Sequence, residues 1–219
     1  MLVRNEFKDK QRLAAALAKA VGDNLNSGIK ERGTACLAVS GGSTPVRFFA
    51  ALSARNDIDW QKIIITLVDE RWVDSNSSRS NAALVASHLL QGAAGKARFV
   101  PLFGGGDAPT SERVARVNLE LKKLPRPFAA VVLGMGNDGH TASFFPGGDA
   151  LEAALGDPGP ALAINAPGAG EARITLSLPF LLATNALYLH IEGAEKAKTL
   201  DRALAGGEVA QMPVRAVLR

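Results

Sequence analysis

The chain has 219 residues, of which 47% are hydrophobic and 21% charged, and it carries a formal net charge of +4. No apolar run reaches the ~20 residues that cross a bilayer, and a single cysteine excludes an internal disulfide. Lys and Arg are scattered and aromatic residues make up only 5%, so a basic stripe with base-stacking rings is missing and nucleic acid is not an expected partner.

Leu13, Leu17, Val21, Leu25 and Ile29 recur every fourth residue and predict one long first helix. Ala35 to Ser40 reads as a short apolar strand with Cys36 in its core, and Gly41-Gly42-Ser43-Thr44-Pro45 leads into a helix with Pro45 in its first turn. Ile63 to Val68 is a β-branched strand, followed by a helix from about Ser80 to Leu90. Arg98 to Leu102 predicts another strand, and Val114, Val117, Leu121 and Leu124 mark a helix that Pro125 and Pro127 close. Phe128 to Leu133 reads as a buried strand, and Ala161 to Asn165, Arg173 to Leu178 and Ala186 to Ile191 as further ones. Gly193 to Leu204 is a helix and Val214 to Leu218 a closing strand, while Gly147 to Gly170 is a Gly-, Ala- and Pro-rich loop of undefined conformation. Strands alternating with helices imply an α/β fold, a single domain over 1–219 with a mostly parallel, Rossmann-like sheet covered on both faces. Ligands of such sheets gather at the carboxyl ends of the strands.

Four strand ends carry chemistry. The run Gly134-Met135-Gly136-Asn137-Asp138-Gly139-His140-Thr141-Ala142-Ser143-Phe144-Phe145-Pro146-Gly147 puts a carboxylate and an imidazole two residues apart among glycines, as proton transfer near neutral pH requires. Ser40-Gly41-Gly42-Ser43-Thr44-Pro45 offers backbone N–H groups, two hydroxyls and a helix N-terminus to an anion, without the lysine and spacing of a nucleotide P-loop. Val68-Asp69-Glu70-Arg71-Trp72 ends a strand in three charges, with Arg71 able to stabilise a negative oxygen. Asp69, Glu70, Asp138 and His140 show no zinc spacing, so no metal is expected. Arg173 and Lys196 are candidate partners for a phosphate, whereas His88 and His190 lack a surrounding motif and read as structural.

Taken together, Ser40 to Pro45, Val68 to Arg71, Ser80-Asn81, the Gly134 to Pro146 run and the Arg173 and Lys196 segments resemble the 6-phosphogluconolactonases, in the order of that family and over most of the chain. The resemblance implies hydrolysis of 6-phospho-D-glucono-1,5-lactone, in the pentose phosphate or Entner–Doudoroff route, by a cytoplasmic enzyme without cofactor or metal. It implies His140, Asp138 and Arg71 as catalytic residues and Gly42, Ser43, Thr44, Asp69, Asn81, Arg173 and Lys196 as substrate-binding ones. The expected partner is a phosphosugar lactone, not a nucleic acid or a membrane, and the chain is expected to be a monomer or homodimer. The related glucosamine-6-phosphate deaminases carry a glutamate five residues after the histidine, where this chain has Phe145, and commonly a tyrosine in place of Arg71. A sugar-phosphate sensor is a third reading. The first helix begins directly and leaves no room for a DNA-reading module, and His140, Asp138 and Arg71 favour chemistry.

Overall fold

The computed structural model describes residues 2–157 and 159–218. In chain order its elements begin α1 (Lys10–Arg32), β1 (Ala35–Val39), α2 (Val46–Ser53), β2 (Ile63–Leu67), β3 (Asp69–Arg71), α3 (Asn81–His88), β4 (Arg98–Val100) and α4 (Ser111–Leu121). They continue β5 (Ala130–Leu133), α5 (Leu151–Gly156), β6 (Ala161–Ile164), β7 (Arg173–Leu176), α6 (Leu178–Leu182), β8 (Leu187–Leu189) and α7 (Ala194–Leu204). Five strands form a parallel sheet in the order β4-β2-β1-β5-β8, and three form a separate antiparallel sheet, β3-β7-β6.

The parallel sheet forms where the sequence is apolar without alternation. Every residue of β1 and β5 is buried, as expected for strands covered on both faces. The Asp9 side chain accepts from the Arg12 N–H to start α1, and Gly33 ends it with φ 77° while donating to the Ile29 carbonyl. The buried seam of α1 is Ala14, Ala18, Val21, Leu25 and Gly28; Leu13, Leu17 and Ile29 flank it half-buried. Strict fourth-residue spacing drifts around a 3.6-residue helix, so small residues share the seam and bring α1 close to the sheet. A Cβ on Gly28 would lie 3.0 Å from the Ala35 methyl.

The second sheet was not expected, and Val68 explains it. The Val68 N–H donates to the Val39 carbonyl of the parallel sheet at 3.0 Å, and its carbonyl accepts from Leu176 of β7 at 2.8 Å. One residue therefore belongs to both ladders, and the charged segment after β2 becomes β3, the edge of the antiparallel sheet.

Four local expectations need correction. Val214 to Leu218 is not a strand: Pro213 lacks an N–H and fixes φ, and Pro213–Val217 winds into a 3-10 helix. Val214 there is fully buried beside Met135, Leu200 and Ala203. The strand from Arg173 stops at Leu176, because the Ser177 hydroxyl accepts from the Phe180 N–H and caps α6, with a proline in its first turn. The 147–170 loop holds α5 as well as β6. Pro45 stands at the N-cap of α2, one position before the helix. Among the described residues, no helix is long and apolar enough to cross a membrane.

Candidate active site

The site begins where β1 and β5 end side by side. The Ser40 hydroxyl accepts from the Gly134 N–H at 2.9 Å and joins the two loops. Beyond it, Gly42 adopts φ +88°, a conformation that suits glycine, and is exposed together with Ser43. Among the described residues no side chain caps α2, so its first N–H groups are open to a ligand, with the helix dipole favouring an anion. Asn81 closes this loop from the other side. A Cβ on Gly41 would fall 1.8 Å from Asn81 Oδ1, and the Asn81 amide donates to the Asp69 carbonyl at 2.9 Å.

After β5 the chain folds into a tight turn. The Gly136 N–H donates to the His140 carbonyl at 2.8 Å, and Gly139 takes φ +83°. Asp138 Oδ1 accepts from the His140 backbone N–H at 3.1 Å and meets His140 Nδ1 at 2.6 Å. The bond from His140 is the main reason that the Asp138 carboxyl is pulled down to about 2, despite partial desolvation. The carboxylate is placed to accept a proton from Nδ1, an arrangement that in a neutral imidazole leaves the Nε2 lone pair free. The next residues hold this turn: Thr141 Oγ1 donates to the Gly134 carbonyl at 2.7 Å, and buried Ala142 sits at φ 48°. A left-handed alanine costs on the order of 1 kcal/mol and persists only where surrounding contacts dictate it.

The antiparallel sheet supplies the opposite wall. Arg71 and Arg173 are direct cross-strand partners, so both side chains project from one face, shared with Asp69 and Thr175. Asp69 Oδ2 accepts from the buried Ser143 hydroxyl at 2.6 Å and lies 3.9 Å from Arg173 Nη1. Arg173 also donates to the Ala169 carbonyl at 2.8 Å, and burial lowers its pKa. Arg71 donates to the Arg79 carbonyl, and Arg79 pairs with Glu171 at 2.8 Å. The Nε atoms of Arg71 and Arg173 are buried without a hydrogen-bond partner among the described residues. Two neighbouring guanidinium groups repel, and orphaned donors are costly, so this face is able to take an anion despite the carboxylate of Asp69.

Glu70 departs from the polar cluster that its neighbours form. Strand alternation turns it to the other face, where it is fully buried and caps α3. Its oxygens accept from the N–H groups of Arg71, Asn81 and Ala82 at 2.7–2.8 Å and from the Ser80 hydroxyl at 3.1 Å. Among the described residues no three His, Cys, Asp or Glu side chains converge in a metal-holding group.

Lys196, in the first turn of α7, donates to the Met135 carbonyl at 2.5 Å. Burial lowers its pKa, while the nearby charges of Asp138 and Glu195 raise it. Thr199 and Arg202 donate to the Asn137 carbonyl and tie α7 to the His140 turn. Gly42, Ser43 and Thr44 lie in the loop after β1, and the other candidate residues form two groups. His140, Asp138 and Lys196 gather at the end of β5; Arg71, Arg173, Asp69 and Asn81 gather on β3, β7 and α3. Ser143 and Phe145 connect the groups, and sequence reading assigned neither a role, although both lie inside the glycine-rich run. His190 is buried against Phe48, with Nε2 3.6 Å from Glu192 Oε1, in keeping with a structural residue.

Comparison with known proteins gives consistent matches. The family model described as glucosamine-6-phosphate isomerases/6-phosphogluconolactonase covers residues 8–219. A 6-phosphogluconolactonase of Mesorhizobium japonicum is 52% identical, with 98% of this chain and 89% of that protein aligned. One from Rhizobium meliloti is 50% identical over 97% of this chain and 92% of the relative. The crystal structure of a 6-phosphogluconolactonase from Shewanella baltica superposes with a TM-score of 0.93 at 42% identity, covering 97% and 90% of the two chains.

Proposed function

The chain belongs to the family of glucosamine-6-phosphate isomerases and 6-phosphogluconolactonases, and from that premise we propose that it hydrolyses 6-phospho-D-glucono-1,5-lactone to 6-phospho-D-gluconate. The observation that carries the reading is the 2.6 Å contact between His140 Nδ1 and Asp138, in a turn whose first residue, Gly134, is bonded to Ser40 at the start of the candidate phosphate loop. Within this family, ring-opening isomerisation calls for an acid–base group at the position of Phe145. Here that position holds an apolar ring, which cannot relay a proton.

In the proposed reaction His140 Nε2 takes a proton from a water as that water attacks the lactone carbonyl. Asp138 holds the imidazole in the required tautomer and stabilises the imidazolium that forms. Arg71 stabilises the oxyanion of the tetrahedral intermediate. The intermediate collapses with loss of the ring oxygen, to which the imidazolium returns the proton, and the carboxylic acid formed at C1 releases its own proton to solvent, leaving a carboxylate and a hydroxyl at C5. Gly42, Ser43, Thr44 and the N-terminus of α2 receive the 6-phosphate, with Arg173 and Lys196 as its counter-charges. Asp69 and Asn81 have their side chains engaged with Ser143, Arg173 and the β3 backbone, which favours a loop-ordering role over contact with sugar hydroxyls. Side chains and water suffice, without metal or cofactor. We assign the reaction to the cytoplasm, in the pentose phosphate or Entner–Doudoroff route.

The test is acid release from freshly prepared lactone, read against its spontaneous hydrolysis. Replacing His140 by Asn is expected to lower kcat by ~10²–10⁴-fold, the range of general-base catalysis, with KM little changed. Turnover near wild type in a folded H140N protein removes His140 as the base. Ammonia from glucosamine 6-phosphate, without lactone hydrolysis, replaces the lactonase reading with the deaminase one.

A further inference from the structure

Phe145 takes no part in the steps above, yet its ring meets both groups of the site. Its centroid lies 4.3 Å from that of the His140 imidazole, the planes tilted by 35°. The Arg173 guanidinium carbon stands 5.5 Å from the same centroid. Phe145 is only 6% exposed, so its ring is largely shielded from water. Its backbone is fixed as well: the Phe145 N–H donates to the Ser143 carbonyl at 3.0 Å, and its carbonyl accepts from Gly148 at 3.1 Å. Ser143 in turn is bonded to Asp69.

The imidazole needs such a support. It sits on a short loop and, among the described residues, forms one side-chain hydrogen bond, to Asp138. Rotation about the bond from Cβ to the ring is soft and roughly two-fold, and a half-turn would carry Nδ1 away from Asp138 and Nε2 with it. On one side the imidazole packs against the Gly136 backbone, in the space where a Cβ would lie 2.1 Å from Nδ1. Phe145 provides a flat aromatic surface against the ring, and tilted or offset contacts between π-systems are favourable. When the imidazole gains a proton, the same surface attracts the cation.

We propose that Phe145 is a positioning residue: its ring clamps the His140 imidazole with Nδ1 on Asp138 and Nε2 free, and its contact with Arg173 ties that orientation to β7. The kinetic consequence rests on the lactonase reading; the orientation does not. Two readouts keep them apart. In ¹⁵N-labelled wild-type protein at a pH where the imidazole is neutral, the His140 nitrogens should show a single tautomer with the proton on Nδ1, and its ring protons should give cross-peaks to the Phe145 ring. Phe145→Leu, which keeps apolar volume without a π-face, should average the two nitrogen signals, whereas Phe145→Tyr should preserve them. With the lactone, F145L should lose roughly tenfold in kcat with KM within about threefold, and F145Y should stay within about threefold of wild type, a difference on the scale of one aromatic contact.

Unchanged nitrogen signals in folded F145L overturn the proposal. So does a rise in KM at constant kcat, because it assigns the ring to binding through Arg173. A loss in F145Y equal to that in F145L overturns it too, leaving a packing role alone. Should F145L fail to fold, the wild-type cross-peaks decide, and their absence overturns the clamp. Wild-type protein that leaves the lactone untouched while showing the single tautomer and its loss in F145L refutes the lactonase reading and retains the positioning.

Discussion

Asp138 is anionic throughout the range in which an imidazole exchanges its proton, because the His140 N–H groups hold its carboxyl down near a pKa of about 2. In the proposed reaction, where His140 is the base, this carboxylate adds no second proton on the acid side, so kcat/KM, corrected for spontaneous hydrolysis, should fall no more steeply than in inverse proportion to proton concentration. A dependence on its square would mean that Asp138 titrates alongside and that the pair is wrongly described. Both residues were legible as a motif of carboxylate and imidazole among glycines. Their contact was not, because residues two apart meet only in particular turns. The turn here depends on Gly139 at φ +83° and on backbone bonds around Gly136.

Gly136 and Glu70 show how the elements position these side chains. Gly136→Ala places a methyl 2.1 Å from His140 Nδ1 and 2.4 Å from Asp138 Oδ1, so the pair has to separate. Activity should fall by ~10²-fold or more, the lower range of a lost general base, while the melting temperature changes little. A fully active G136A protein would show that catalysis does not need the pair as drawn. Glu70→Gln tests the β3–α3 junction instead. An amide can satisfy fewer of the four donors that converge on Glu70, and its NH₂ faces N–H groups. A loss of ~1–3 kcal/mol in denaturant unfolding is expected, as for buried groups left unpaired. The charges at 69–71 look alike in sequence. Strand alternation separates them: Asp69 and Arg71 face the site, and Glu70 anchors the helix that carries Asn81.

At the scale of the molecule, the residues proposed to bind the phosphate come from both sheets. Ser43 and Thr44 follow β1 of the parallel sheet, Lys196 follows β8, and Arg173 opens β7 of the antiparallel sheet. A ligand that touches all of them stabilises the arrangement of one sheet on the other. At 100 times its dissociation constant, 6-phosphogluconate should add ~2.7 kcal/mol to wild-type stability, seen as a rise in Tm. In Arg173→Ala or Lys196→Ala the same concentration should give a clearly smaller shift, together with a raised KM. Equal shifts in all three proteins would place the phosphate elsewhere.

The amino-acid sequence by itself determined the parallel α/β sheet, since unbroken apolar runs such as β1 and β5 are stable only between two layers of helices. It also singled out the candidate residues for the chemistry, because a phosphate loop, a base and their cations have distinct side-chain signatures. Only the tertiary structure decided the antiparallel sheet, the burial of Glu70, the cross-strand pairing of Arg71 with Arg173 and the stacking of Phe145 on His140. Each of these depends on contacts between residues distant in the chain or on which face a short strand presents. A three-residue strand such as β3 has no periodicity to read, and its orientation follows from the two sheets that share Val68.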